Sequence, residues 1–208
     1  MHIKTISVGQ FDTNCHVVSK SNGKAIVVDP GDDAETIATY LKAERLQVAA
    51  YLITHGHVDH ISGLATLANR FPAVVRIHKE DAAWAFGSQN HLQPYYDAPV
   101  KPASPIESVS DGDEMEDAEM KYRVLGTPGH TPGSVCFHFY EAAILFSGDT
   151  LFSGSVGRTD LQGGDPKMLA ASIAKLAALD PAIKVYSGHG PATDIGREKK
   201  YNFFMRGL

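Results

Sequence analysis

The stretch Thr54-His55-Gly56-His57-Val58-Asp59-His60 places four potential metal ligands within seven residues. The apolar run Val48 to Ile53 precedes it and is short enough to be a buried strand. After it, apolar residues recur at helical spacing, namely Ile61, Leu64, Ala65 and Ala68. The pattern predicts a buried strand, a loop that carries ligands, and a helix.

Glycine and a potential metal ligand follow three further apolar runs in the same way. Four strand candidates end near residues 53, 125, 146 and 186. Because ligand sites of α/β proteins lie at the carboxyl ends of strands, we expect these side chains along one edge of a sheet. The gathered set is His55, His57, Asp59, His60, His130, Asp149 and His189.

Short β-rich runs and amphipathic helices alternate along the rest of the chain. Asn22-Gly23 separates two such runs and predicts a hairpin. Asp32 or Asp33 is expected to cap a helix that extends to about Arg45. Asp165 and Pro166 are typical of the N-cap and first turn of a later helix. The alternation predicts an α/β fold with helices covering the sheets, in a single domain over residues 1–208.

Two segments are harder to assign. Between Gly87 and Pro105 the periodicity disappears and four prolines occur, which favours a partly ordered flap near a site. The tail from Arg197 to Arg206 is predicted to form one closing helix.

Composition excludes several classes of function. Nineteen basic and twenty-four acidic residues give a formal charge of −5, the wrong sign for binding nucleic acid mainly through phosphates. No run approaches the roughly 18 apolar residues of a membrane span, and no secretory signal is recognisable, so a cytoplasmic protein is expected. Cys15 and Cys136 lie in strand-like stretches without CxxC spacing, which predicts reduced core thiols.

Seven ligands exceed what one tetrahedral ion uses, so two divalent ions are predicted, with zinc ahead of iron or manganese. The alternating His55 and His57 point to one ion, while Asp59 and His60 turn towards a second. His130 and His189 complete the two sets, and Asp149 is placed to bridge them. Two ions about 3.5 to 4 Å apart would share a water with a pKa near 7, which predicts hydrolysis of an anionic substrate.

These motifs resemble the metallo-β-lactamase superfamily, whose signature is His-x-His-x-Asp-His. The segments Pro128 to Ser134, Gly148 to Phe152 and Gly188 to Pro191 are similar to those of its glyoxalase II branch, the hydroxyacylglutathione hydrolases. The resemblance covers nearly the whole chain. It implies an αββα sandwich of the short kind, without the C-terminal helical domain of full-length glyoxalase II.

The resemblance also implies roles for individual residues. His55, His57 and His130 would bind the first metal, Asp59, His60 and His189 the second, and Asp149 both. The implied reaction cleaves a thioester such as S-lactoylglutathione to a hydroxy acid and glutathione, by attack of a metal-bridging hydroxide that Asp59 helps to orient. The implied partner is a small anionic thioester, including a glutathione conjugate.

One segment departs from glyoxalase II and leaves alternatives open. Gly157-Arg158-Thr159-Asp160 stands where a lysine and a tyrosine contact glutathione, so Arg158 is a candidate for binding a substrate carboxylate, the alternative being a salt bridge to a neighbouring acid. The same segment resembles the persulfide dioxygenases, which use a single iron on the counterparts of His55, His130 and Asp149. A β-lactamase is disfavoured because those enzymes are normally exported and generally lack an aspartate matching Asp149.

Overall fold

The computed structural model describes residues 1–208. Two six-stranded sheets form its centre. The first contains, in spatial order, β1 (His2–Val8), β2 (Thr13–Ser19), β3 (Lys24–Val28), β4 (Gln47–Leu52), β5 (Val74–His78) and β6 (Ile106–Val109). The second contains, also in spatial order, β14 (Thr193–Asp194), β13 (Lys184–Ser187), β10 (Ile144–Gly148), β9 (Val135–Phe139), β8 (Met120–Gly126) and β7 (Glu114–Asp117).

Six α-helices, one 3-10 turn (Tyr140–Ala142) and a small hairpin complete the fold. The hairpin pairs β11 (Leu151–Phe152) with β12 (Ser155–Val156). The helices are α1 (Ala34–Ala43), α2 (Val58–Ile61), α3 (Leu64–Arg70), α4 (Lys79–Ala82), α5 (Pro166–Ala177) and α6 (Ile195–Tyr201). None of them combines the length and the apolar character needed to cross a lipid bilayer.

Apolar side chains fill three layers. Successive residues of a strand face opposite sides of a sheet, so Ile26 of β3 packs against the second sheet while Val27 packs beneath α1 and α3. Leu145 of β10 belongs to a third cluster with α5 and α6. Helices therefore cover the outer face of each sheet, and the predicted αββα sandwich is confirmed.

The expectation that all the ligand-bearing strands share one sheet is wrong. β4 belongs to the first sheet, whereas β8, β10 and β13 belong to the second. β8 and β10 are both antiparallel to β9, and β13 is parallel to β10, so these three strands point the same way. The loops that follow all four strands meet at one end of the sandwich, where both sheets contribute.

The predicted positions of turns and helix ends are confirmed in part. The Asn22-Gly23 hairpin is confirmed between β2 and β3. Asp33 stands at the N-cap of α1, but its carboxylate accepts a hydrogen bond from the Gly9 amide at 2.9 Å and does not cap the helix. The predicted tail helix ends at Tyr201, well before Arg206.

The helix predicted after the ligand-bearing loop is interrupted. α2 and α3 are separated at Gly63, whose amide donates to the carbonyl of Pro30 at 3.1 Å. A Cβ at Gly63 would come within 2.9 Å of that carbonyl oxygen, closer than real contacts allow. The close approach of the Pro30 turn therefore requires glycine and divides the helix.

Candidate metal centre

The structure brings all seven candidate metal ligands together at one end of the sandwich. Their ligand atoms form three overlapping groups in which all atoms lie within 4.8 Å of one another. The groups are His55, His57 and His130; His55, His60 and Asp149; and Asp59, His60 and His189.

A buried aspartate fixes the start of the His-x-His-x-Asp-His loop. The amide and hydroxyl of Thr54 donate to the two oxygens of Asp29 at 2.8 and 2.6 Å. Nδ1 of His60 lies 3.0 Å from the same carboxylate. Asp29 therefore orients the loop and one imidazole together, and sequence reasoning did not identify it.

Backbone carbonyls set the proton positions of two other imidazoles. Nδ1 of His130 lies 2.8 Å from the carbonyl oxygen of Arg158, and Nδ1 of His189 lies 3.0 Å from that of Phe11. A carbonyl oxygen can only accept, so Nδ1 carries the proton in each ring. The lone pair on Nε2 of each ring is then free to face the cluster, as metal-binding histidines require.

Two buried polar atoms in this cluster have no hydrogen-bond partner, Nε2 of His55 and Oδ1 of Asp149. Unpaired buried polar atoms are rare in native proteins and need an explanation. Nitrogen atoms also face each other closely, with Nδ1 of His57 only 2.9 Å from Nε2 of His130. A bound cation satisfies all of these atoms, so the residues fit a metal centre.

Asp149 lies between the two halves of the cluster. Its Oδ1 is 3.4 Å from Nε2 of His60, while its Oδ2 is 3.6 Å from Nε2 of His130 and 3.5 Å from Nε2 of His189. One carboxylate therefore faces imidazoles of both predicted ligand sets.

The electrostatics favour the metal-binding protonation state at two imidazoles and two carboxylates and oppose it at two other imidazoles. Burial, reinforced by neighbouring imidazoles, lowers the pKa of His57 to about 4 and that of His55 well below its usual range. Burial alone would raise the pKa of Asp59 and Asp149, but the nearby His60 and His189 outweigh it and hold both below the ordinary value. His55 and His57 are thus neutral and both carboxylates ionised at neutral pH. Burial alone would lower the pKa of His60 and His189, but the facing carboxylates outweigh it and raise both, so a cation has to displace a proton there.

Aromatic side chains surround the cluster, and sequence reasoning did not identify them. The ring of Trp84 lies 5.6 Å from that of His57, and the ring of Phe152 lies 6.2 Å from that of His189. Phe11, whose carbonyl contacts His189, packs edge-on against the half-exposed Tyr95 at 5.4 Å. The mouth of the site therefore offers apolar contacts on both sides.

The segment from Gly87 to Pro105 lies beside this cluster and is tied to it. The buried Asn90 donates from Nδ2 to the carbonyl of Gly56 at 2.8 Å. The hydroxyl of Tyr96 accepts from the Gln10 amide at 3.0 Å. These contacts fix the segment against the ligand-bearing loop after β4 and against the turn after β1.

Arg158 stands apart from the seven. Its exposed guanidinium makes two hydrogen bonds of 2.7 Å to the carboxylate of Asp160. The structure thus shows the salt bridge that sequence reasoning offered as the alternative, while substrate binding by Arg158 stays a prediction.

The sequence profile of the metallo-beta-lactamase superfamily matches residues 8–189. The chain belongs to this superfamily. Within the metallo-β-lactamase superfamily it is 34% identical to the probable metallo-hydrolase YqgX of Bacillus subtilis, an alignment that covers 100% of this chain and 99% of that protein. It is 32% identical to the hydroxyacylglutathione hydrolase GloC of Haemophilus influenzae, covering 99% and 98%.

Solved structures of the superfamily share the fold closely. BLEG-1, described as a B3 metallo-β-lactamase, is 38% identical with a TM-score of 0.91, covering 99% of this chain and 100% of that one. TTHA1623 in a di-iron-bound form is 36% identical with a TM-score of 0.88, covering 97% and 99%. ETHE1 from Myxococcus xanthus is 25% identical with a TM-score of 0.80, covering 98% and 84%.

Proposed function

We propose that this protein is a dinuclear metal-dependent hydrolase that cleaves small anionic thioesters, in the manner of the hydroxyacylglutathione hydrolases. The observation that carries the proposal is the convergence of seven imidazoles and carboxylates, two of them with buried atoms that lack a partner. The likeness to GloC supports the thioester as substrate and a glutathione conjugate such as S-lactoylglutathione as the first compound to test.

Two groups of side chains would hold the ions. His55, His57 and His130 would bind one, Asp59, His60 and His189 the other, and Asp149 would contact both. Two divalent ions in such a centre lower the pKa of a shared water towards about 7 and polarise a carbonyl oxygen. We propose zinc ahead of iron or manganese, while the di-iron form of TTHA1623 keeps iron in consideration.

The chain's own residues would orient the reacting groups. The hydroxyl of Thr13 donates to Oδ2 of Asp59 at 3.1 Å and so fixes the plane of the carboxylate. Asp59 is ionised, which suits it to accept a hydrogen bond from the attacking water and to hold that water in line. The rings of Trp84 and Phe152 would pack against the apolar part of the substrate. The thiolate released from a thioester needs little acid assistance.

The test combines elemental analysis of freshly purified protein with an assay of S-lactoylglutathione that follows thiol release. We expect about two metal ions per chain and thiol release that stops on chelation and returns on addition of metal. Full metal loading without any thiol release would contradict the substrate assignment. The single domain over residues 1–208 and the cytoplasmic location remain predictions.

A second candidate is a mononuclear iron persulfide dioxygenase, which Arg158-Thr159-Asp160 and the likeness to the Myxococcus ETHE1 structure favour. It predicts one iron per chain and oxygen uptake with glutathione persulfide. Two ions and no oxygen uptake would exclude it. A chromogenic β-lactam belongs in the same assay series, because BLEG-1 is described as a β-lactamase.

A further inference from the structure

A second buried aspartate, outside the seven candidate ligands, lies behind the cluster. Asp81 of α4 is 0% exposed. Its Oδ2 accepts from the amide of Gly56 and from the hydroxyl of Thr131, both at 2.7 Å. Its Oδ1 accepts from the amide of Gly133 at 2.7 Å. Two of the three donors are backbone amides inside loops, so the carboxylate replaces backbone pairing that these loops lack.

Two of the three donors are immediate sequence neighbours of candidate ligands. Gly56 lies between His55 and His57, and Thr131 directly follows His130. One carboxylate therefore joins the loop after β4 of the first sheet to the loop after β8 of the second. These two loops supply every imidazole of the group formed by His55, His57 and His130.

The other ligand group is held by different contacts. His60 bonds to Asp29, Asp59 to Thr13, and His189 to the carbonyl of Phe11. None of these contacts involves Asp81. Asp29 supports both halves, since it also holds Thr54 next to His55, whereas Asp81 contacts only the loops of the first group.

The first group needs such a support. In the metal-free protein Nδ1 of His57 and Nε2 of His130 lie 2.9 Å apart and can share a hydrogen bond, which a cation has to displace. The loops must therefore be held by bonds that do not depend on the ion. Asp81 makes such bonds to two backbone amides and one hydroxyl and leaves the rings free to coordinate.

We propose that Asp81 is a positioning residue that preorganises the His55, His57 and His130 group for metal binding. The inference rests on the proposed metal centre and specifies which half of it Asp81 serves. Loss of Asp81 lowers the affinity for the ion held by that group. The affinity for the ion at Asp59, His60 and His189 stays nearly unchanged.

The experiment compares Asp81→Asn with a matched control, Glu198→Gln. Glu198 is equally buried, at 1% exposure, and its carboxylate also accepts from a glycine amide, a threonine hydroxyl and an asparagine amide. Both substitutions remove the charge of a buried carboxylate with three hydrogen bonds. They should therefore cost similar stability, measured by thermal unfolding of the metal-free proteins, while only one concerns the ligand loops.

Metal affinity is measured by titrating zinc into each metal-free protein against a chromophoric chelator. We expect Asp81→Asn to weaken one of the two binding steps about tenfold or more and Glu198→Gln to weaken neither. The weakened step should be the one that His57→Ala abolishes, not the one that His189→Ala abolishes. If Asp81→Asn does not fold, Thr131→Val removes one of the three bonds, and the same step should weaken by a smaller factor.

Three results would overturn the inference: unchanged affinities in Asp81→Asn, equal weakening of both steps, or the same effect in Glu198→Gln. A wild-type protein that binds no ion would instead overturn the proposed metal centre. Thioester turnover does not enter the readout, so an error in the proposed substrate leaves this result intact.

Discussion

Asp149 faces both halves of the cluster, because its Oδ2 lies near His130 of one ligand set and His189 of the other, and its Oδ1 is buried without a hydrogen-bond partner. We expect Asp149→Ala to lose bound metal and to abolish activity, because a single side chain serves both ions. Elemental analysis of the variant after gel filtration measures this. Asp165→Ala, which removes an exposed helix cap, should keep the wild-type metal content and lose only about 1 kcal/mol of stability. Wild-type stoichiometry in Asp149→Ala would rule out the bridge.

His16 is buried, with Thr5 and the carbonyl of Ser187 as its hydrogen-bond partners, and burial lowers its pKa to about 4. The unfolded chain takes up a proton near pH 6.5, whereas the folded chain does not do so until about pH 4. Stability that is complete above pH 6.5 is therefore lost as the pH falls towards 4. For this one group the loss reaches about 3 kcal/mol.

The variant His16→Gln isolates that contribution. Between pH 6.5 and 4, we expect its free energy of unfolding to fall less steeply with decreasing pH than that of the wild type. The difference between the two slopes should correspond to about one bound proton. Denaturant unfolding of both proteins with metal chelated gives the two slopes. Parallel slopes would show that His16 does not titrate in this way.

In the turn from Gly157 to Asp160, the guanidinium of Arg158 donates two hydrogen bonds to the carboxylate of Asp160. If Arg158 binds a substrate carboxylate, Asp160 competes for the same guanidinium. We therefore expect Asp160→Asn to lower KM for an anionic thioester several-fold at unchanged kcat, and Arg158→Gln to raise it. Steady-state kinetics with S-lactoylglutathione distinguish the two. If both variants match the wild type, Arg158 does not contact substrate.

Elements whose ends depend on nearby residues could be predicted from the sequence. Asp165 caps α5 as expected, and its Oδ1 accepts from the amides of Lys167 and Met168. The division between α2 and α3 could not be predicted, because it depends on the approach of Pro30 to Gly63. Contacts between distant segments decide such features, and a local pattern does not report them.

The same distinction between local patterns and long-range contacts applies to the site. The seven candidate ligands were identifiable because each follows an apolar run and carries a side chain suited to a metal. Asp29 and Asp81 were not, because an isolated aspartate in a turn or a short helix gives no signal of the loop it will contact. The membership of β4 in a different sheet was also hidden, because strand order is set by long-range pairing.

For the molecule as a whole, Arg76 links the two sheets. It belongs to β5 of the first sheet, and its guanidinium makes bonds of 2.8 and 3.0 Å to Asp117 of β7 in the second. Arg76→Met leaves the mostly buried Asp117 without its only cationic partner, although the hydroxyl of Tyr122 still donates to it, so we expect a loss of about 3 kcal/mol in the free energy of unfolding. Chemical denaturation measures it.

Arg70→Met provides the control, since the exposed, solvent-screened pair of Arg70 with Glu35 should contribute little to stability. Neither variant should change the metal content. Equal losses in the two variants would mean that the link between the sheets contributes no more than a surface pair.

The ligand-bearing loops come from both sheets, so ions bound there would fasten the two layers together like a cross-link between segments far apart in sequence. Unfolding would have to release those ions, and by mass action the folded state gains stability as their free concentration rises. The resistance of this protein to heat and proteolysis would then depend on the supply of metal as much as on the chain itself.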